Sequence, residues 1–347
     1  MISSAFSTNL KTLNDTTKNK SSRLYELDCI RGIAALGVML FHYTCRYQNL
    51  FGDSIIPRWM NFPIGRYGPE VFFILSGFTI IYTIEKQNLT FKNFISKRMW
   101  RLYPTYWLCT TITFIAVSLI GLPGREVTFG QYLINLTMLQ FGLKISAVDA
   151  ATWALFMILL FYFIIACILF LKKINKIEFI CWCGLFLIVL KFLFPTALLK
   201  LLTIGDYGVF FIAGISFYHI FKTPRLNNSY HLLIICCFVT ACILFREPLH
   251  TAALIVMFIA FYLFAFGKLK WLISKPLIFF GNISYPLYLL HQNIGYILIK
   301  KTASMTGQPY LTLLFPSLFS ILAAWLVYRY FEGHILKTFF KERIYNV

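Results

Sequence analysis

Residues Cys29 to Arg46 read CIRGIAALGVMLFHYTCR. The stretch is apolar enough to enter a membrane as a helix, yet it carries Arg31 near its start and His42 deep inside it. At about 100° per residue, the interval between them is about 20° beyond three full turns, so both side chains share one face. Along the axis they lie roughly 16 Å apart. Ionisable groups inside a membrane helix are costly and usually face a bundle interior or a wet cavity. The pattern therefore predicts a hollow with Arg31 at one end and His42 deeper within it.

The rest of the chain suits such a setting. It has 347 residues, 59% of them hydrophobic and only 13% charged, where a soluble domain is nearer one quarter charged. Polar residues are too sparse to cover a soluble globule of this size. The net charge is +19, from 32 Lys and Arg against 13 Asp and Glu. These basic residues sit in short loops between apolar stretches, which is a topology signal rather than a nucleic-acid surface. The nine cysteines lie within or at the ends of apolar segments and none has C-x-x-C spacing. They read as small buried hydrophobes, and no metal site is expected. Residues 1–24 are rich in Ser, Thr, Asn and Lys with no apolar core, so a flexible cytoplasmic lead-in is expected rather than a cleavable signal. A membrane domain over 25–335 and a basic cytoplasmic tail over 336–347 complete the expected organisation.

The fold class is all-α, a polytopic membrane helical bundle of about ten transmembrane helices. The expected spans are 29–47, 67–85, 103–121, 150–171, 177–194, 201–221, 230–245, 250–267, 277–299 and 311–331, each near the about 20 residues a crossing needs. Gly205, Asp206 and Pro195 interrupt the fifth to eighth. With the N-terminus inside, inner loops and tails carry 20 Lys and Arg and outer loops carry nine. Both termini then come out cytoplasmic. The loop 122–149 contains TFGQYLINLTML, a candidate amphipathic helix at the outer surface.

Topology gives each intramembrane polar residue a depth. His42, Glu70, Trp153 and His291 fall in the outer half, from four separate spans. Arg31, Arg98 and Arg101 fall at the inner edge, and Ser76 lies about 9 Å deeper than Glu70. Plain structural readings stand beside the functional ones. A lone membrane histidine can be a satisfied structural group. Glu70 can merely cap the second helix. Arg98 and Arg101 can be topology signals, and Ser76 with Gly77 can be a close-packing pair. Tyr285 and Tyr288 lie too deep for an interfacial aromatic belt, which favours a lined cavity.

Four motifs in order, LDCIRGIAALGVMLFH, GPEVFFILSGF, RMWRLYP and ISYPLYLLH, resemble the membrane acyltransferase-3 family along the whole chain. The resemblance implies a ten-span integral membrane enzyme. It would move an acyl group, often acetyl, from cytoplasmic acyl-coenzyme A to a sugar hydroxyl of a cell-surface glycan such as O-antigen or exopolysaccharide. It further implies Arg31 and His42 as the essential pair, an acidic position at Glu70, the R-x-x-R of Arg98 and Arg101, and a late motif of Ser284, Tyr285, Tyr288 and His291. One position departs from the pattern. Where the family's fourth span often carries a glutamate, this chain has Ile158, so another group, such as Glu70 or Asp149, would have to supply any carboxylate needed, the alternatives being reduced activity or a changed acceptor.

Acyl transfer from a thioester needs a base for the hydroxyl, donors for the oxyanion and two substrates held together. His42 is the expected base or transient acyl carrier, with Glu70 or His291 orienting it. Arg31, Arg98 and Arg101 would bind coenzyme A phosphates. Ser76, Trp153, Tyr285, Tyr288 and His291 would line the substrate path. The expected partners are membrane lipid, acetyl-coenzyme A or a related acyl donor, and a glycan or lipid-linked sugar, in a bacterial inner membrane. The rival readings are a membrane transporter or exporter and a non-catalytic scaffold. Acceptor identity, acyl length and oligomeric state stay open.

Overall fold

A computed structural model of the protein describes residues 23–52, 55–224 and 228–336. Most of the expected flexible lead-in (1–22) and nearly all of the basic tail (337–347) lie outside these described residues. Among the described residues every regular element is helical. Helix α1, Tyr25–Phe41, runs directly into a π-helical turn, His42–Arg46, and a last turn, Tyr47–Phe51. Gly52 then ends it at a φ of 68°, a left-handed conformation open to glycine. The others are α2 (Gly68–Gln87), α3 (Phe91–Ile120), α4 (Phe129–Asn135), α5 (Trp153–Phe170), α6 (Ile177–Leu193), α7 (Ala197–Leu202), α8 (Gly208–Lys222), α9 (Asn228–Leu244), α10 (Pro248–Ala265), α11 (Lys275–Thr306) and α12 (Pro309–Leu326). A π-helical stretch, Val327–Leu336, continues α12.

Each of the ten expected apolar stretches is occupied by a helix. Five helical stretches are long and apolar enough to cross a membrane: Pro63–Gln87, Phe91–Ile120, Ala150–Phe170, Pro248–Ala265 and Pro309–His334. Gly208–Lys222 and Asn228–Leu244 are apolar but shorter. Two expectations change. The sixth stretch is split into α7 and α8, because Ile204 and Gly205 both adopt positive φ, 54° and 63°. The basic segment after α2 is not a loop. Thr90 caps a helix there by accepting from the Asn93 amide, and Lys92, Lys97, Arg98 and Arg101 form the first turns of α3. Lysine and arginine are good helix formers, and the i,i+3 spacing sets the two arginines on one face. The helix expected within 122–149 exists as α4, opened by a reciprocal cap between Thr128 and Gln131. Its Phe129 and Leu133 are exposed.

Two glycine crossings set the helix spacing. A Cβ at Gly77 of α2 would lie 2.2 Å from the Phe211 carbonyl oxygen of α8, and one at Gly214 would lie 2.1 Å from that of Ile74. In α1 a Cβ at Gly32 would lie 2.7 Å from the Gly281 amide nitrogen, and one at Gly281 of α11 would lie 2.2 Å from the Asp28 oxygen. Only glycine permits backbones this close. The long helix α11 is the centre of the bundle and packs on both α1 and α12. Tyr43 fastens all three: its hydroxyl donates to the His291 carbonyl at 2.8 Å and lies 2.7 Å from Ser320 Oγ.

The segment before α5 is tied to α11 as well. Asp149 accepts from the amides of Ala151 (2.9 Å) and Asn293 (3.3 Å). Asn293 Nδ2 donates to the Val148 carbonyl at 2.7 Å, and Gln292 Oε1 accepts from Ala151 at 2.7 Å. Burial pushes the Asp149 carboxyl up to about 7.

Replacing Gly77 with valine should force α2 from α8 and destabilise the protein by about 1–3 kcal/mol, read as a lowered Tm of detergent-solubilised protein. Because the folded state binds the Asp149 proton more tightly than the unfolded chain, its contribution is full below about pH 4 and is lost as pH rises towards 7. Asp149→Asn should flatten the pH dependence of Tm across that window.

Candidate active site

Two cavities meet in the bundle. The first, about 220 Å³, is lined by Arg31, Arg98 and Arg101 together with Ser76, Thr79, Thr105, Ile158, Tyr285, Tyr288 and Glu332. The second, about 350 Å³, is lined by His42, Glu70, Trp153, Tyr207, His250, Tyr288 and Gln292. Arg31 and His42 therefore line different cavities, and the expected single passage is divided. Tyr288 borders both. Its hydroxyl donates to the Ala151 carbonyl at 2.5 Å and its ring stands edge-on to Phe72 at 5.7 Å, so the ring is held across the junction.

The arginine cavity is built by α1, α2, α3, α5, α11 and the stretch after α12. Arg31 donates through Nη2 to Asp28 Oδ1 at 2.5 Å and through Nε to the Gly281 carbonyl at 3.1 Å. Asp28 also accepts from Arg23 Nε at 2.5 Å, so one carboxylate serves two guanidiniums. Arg98 is buried, its Nε has no hydrogen-bond partner among the described residues, and its charge lies 5.6 Å from the Phe94 ring and 5.7 Å from the Tyr162 ring. Arg101 is exposed. Glu332 is the carboxylate here, accepting from Thr105 Oγ1 at 2.9 Å. Asp28 offsets part of the Arg31 charge from behind and Glu332 part of the rest, but Arg98 and Arg101 have no ion-pair partner among the described residues, so the cavity stays positive and suits phosphate oxygens.

In the second cavity the two histidines pair. His291 Nδ1 lies 3.1 Å from the Leu287 carbonyl and 2.9 Å from that of Tyr288. Two carbonyl neighbours require a donor, so the neutral ring carries its proton on Nδ1 and accepts at Nε2. His291 Nε2 is 3.1 Å from His42 Nδ1, which also lies 2.9 Å from the Val38 carbonyl. His42 Nδ1 must then be the donor, and Nε2 of His42 is left with the free lone pair. The π-helical turn begins at His42, and such bulges often mark functional positions.

The sequence-expected residues divide between these cavities. Arg31, Arg98, Arg101, Ser76 and Tyr285 belong to the first; His42, Glu70 and Trp153 to the second; Tyr288 to both. Tyr285 is held by its hydroxyl on the Leu102 carbonyl at 2.9 Å. His291 supports His42 rather than lining the cavity. Glu70 does not orient His42: its Oε1 lies 3.3 Å from His250 Nε2, and both side chains are buried. Asp149 is taken up by backbone amides, so neither expected substitute carboxylate stands beside Ile158. The carboxylate that shares a cavity with Ile158 is Glu332. His250, Glu332, Tyr207 and Gln292 were missed by sequence reasoning. His250 and Glu332 carried a readable signal, being ionisable residues at the edges of the expected apolar spans 250–267 and 311–331.

Comparison with known proteins bears on this arrangement. The chain resembles the exopolysaccharide production protein ExoZ of Rhizobium meliloti (strain 1021), at 32% identity over 132 residues, 37% of this chain. The matched part spans 41% of that relative's length. No solved structure matches the chain. A family described as "Acyltransferase domain" matches residues 24–330, a range that includes the histidine cavity, the histidine pair and all of the arginine cavity's lining except Glu332. The chain belongs to the acyltransferase-3 family of membrane proteins.

Proposed function

We propose that the protein is an O-acyltransferase of a bacterial inner membrane. It takes an acyl group, acetyl in the simplest case, from cytoplasmic acyl-coenzyme A to a sugar hydroxyl of an exopolysaccharide or similar surface glycan. The observation that carries this reading is the His291–His42 pair, which leaves His42 Nε2 as a base in a cavity backing onto a cluster of arginines. The N-terminus lies inside and the ten helical stretches are ten crossings, which puts the arginine cavity at the cytoplasmic side. The relative's name supports a polysaccharide acceptor.

Arg31, Arg98 and Arg101 hold the donor's phosphates by charge-assisted hydrogen bonds. The acyl end reaches past Tyr288. The acceptor hydroxyl attacks the thioester carbonyl while His42 Nε2 takes its proton, and His42 Nδ1–H keeps its bond to His291. The tetrahedral intermediate collapses, the carbon–sulfur bond breaks, and the thiolate leaves with the proton from His42. The ring set between the cavities also favours a relay, in which Nε2 itself first accepts the acyl group. Release of free coenzyme A without any acceptor marks that second route.

His42→Ala should lower acetyl transfer to a glycan about 10²–10⁴-fold, as loss of a general base does, with expression confirmed by blot. Wild-type transfer in this variant removes His42 from the mechanism. His291→Ala should retain more activity and shift the pH profile of kcat, since it alters the group that fixes the tautomer. Arg98→Ala combined with Arg101→Ala should raise KM for acetyl-coenzyme A by about tenfold or more, from the roughly 1.5–3 kcal/mol of a charged hydrogen bond. A carrier or scaffold would consume no acetyl-coenzyme A when purified and given a glycan.

A further inference from the structure

The histidine cavity holds more polar groups than the transfer step uses. Its floor carries Glu70 and His250, each 4% exposed. Among the described residues Glu70 Oε2 has no hydrogen-bond partner, and His250 Nε2 meets only Glu70 Oε1, at 3.3 Å. A buried polar atom without a partner is expensive, and here the free carboxylate oxygen and the imidazole both sit in a cavity wall. Aromatic faces surround them: Tyr67 stacks on His250 at 4.2 Å, and Phe245 lies 4.6 Å from the same ring. Tyr207 and Trp153 complete the wall, 4.9 Å apart. A free carboxylate oxygen and a weakly engaged imidazole beneath flat apolar rings match a sugar, which offers hydroxyls at its edges and C–H faces.

The rim adds a charge. Arg46, Arg66 and Arg246 all line this cavity and all are exposed. They come from three separate segments: the end of the π-helical turn, the turn before α2 and the turn before α10. Glu247 pairs with Arg66 at 3.2 Å. Among the described residues Arg246 has a backbone partner only, the Ile243 carbonyl at 3.3 Å. Among the described residues no carboxylate pairs with Arg246 or Arg46. In the orientation proposed above these are outer residues, on the side where topology does not call for arginine. Their convergence on one rim needs another cause.

We infer that the acceptor is an anionic saccharide, with a carboxylate or phosphate on or beside the sugar that is acylated. Arg46 and Arg246 hold the anion, while Glu70 and His250 hold hydroxyls below. This rests on the assignment of the histidine cavity to the acceptor, but its test involves no donor and no transfer. Purified protein in phosphatidylcholine nanodiscs, which present no anionic headgroup to compete, is titrated calorimetrically with an oligosaccharide of alternating glucose and glucuronic acid. The control is the same oligosaccharide after its carboxyls are reduced to alcohols. The acidic form should bind at least tenfold tighter at low salt, with the gap narrowing at high salt. Competition by glucose 1-phosphate identifies phosphate as the favoured anion, and competition by glucuronic acid identifies carboxylate; either supports the inference. The double variant Arg46→Gln with Arg246→Gln should erase the gap and leave Tm and the reduced sugar's affinity unchanged. Equal affinity for the acidic and reduced forms, no binding of any acidic probe, or a preference that survives the double variant overturns it. Such a failure leaves the transfer assays with His42 variants untouched.

Discussion

The close crossing of α1 and α11 is the constraint on which the site depends. With no side chain at Gly32 or Gly281, the two backbones touch near their first turns. Arg31 then reaches the Gly281 carbonyl, and about ten residues further along each helix His42 reaches His291. The two helices run in the same direction and act as one ruler marked at both ends. Spreading them would lose the arginine's anchor and the imidazole's tautomer together. Tyr43, seated where Gly295 leaves room for its ring, holds the far end closed.

Much of this was written in the sequence because membrane helices punish misplaced charge. Arg31 and His42 announced a polar face from spacing alone, and the late motif placed Tyr288 and His291 near them. What could not be read was pairing across space. Glu70 and His250 are 180 positions apart, and no local period links them. Gly205 was legible as an interruption of the sixth stretch, and the positive φ at Ile204 and Gly205 sets the break there. The basic segment before Leu102 looked like a loop because charge was read as topology, when helix propensity and the Thr90 cap outweighed it. The division of the hollow was also hidden, since it depends on where one hydroxyl, that of Tyr288, finds its acceptor.

Ile158 shows how a departure from a pattern is read in three dimensions. In sequence it is a missing carboxylate on the fourth span. In the structure it shares the arginine cavity with Glu332, which comes from the π-helical stretch after α12 and is held by Thr105. The cavity therefore contains an acid, delivered from a different part of the chain. Arg31, Arg98 and Arg101 line the same cavity, so the acid tempers the field rather than reversing it.

Tyr288 carries a consequence for the cell as well as for the reaction. A bundle hollowed from both faces would be a conduit for ions, and a membrane that leaks cannot store energy. In the orientation proposed above, the two recesses face opposite sides of the bilayer and share one aromatic ring, whose tip is tied to the Ala151 carbonyl. In that arrangement the ring would serve as an insulator: chemistry would be passed across it group by group while the electrical barrier of the bilayer stayed intact.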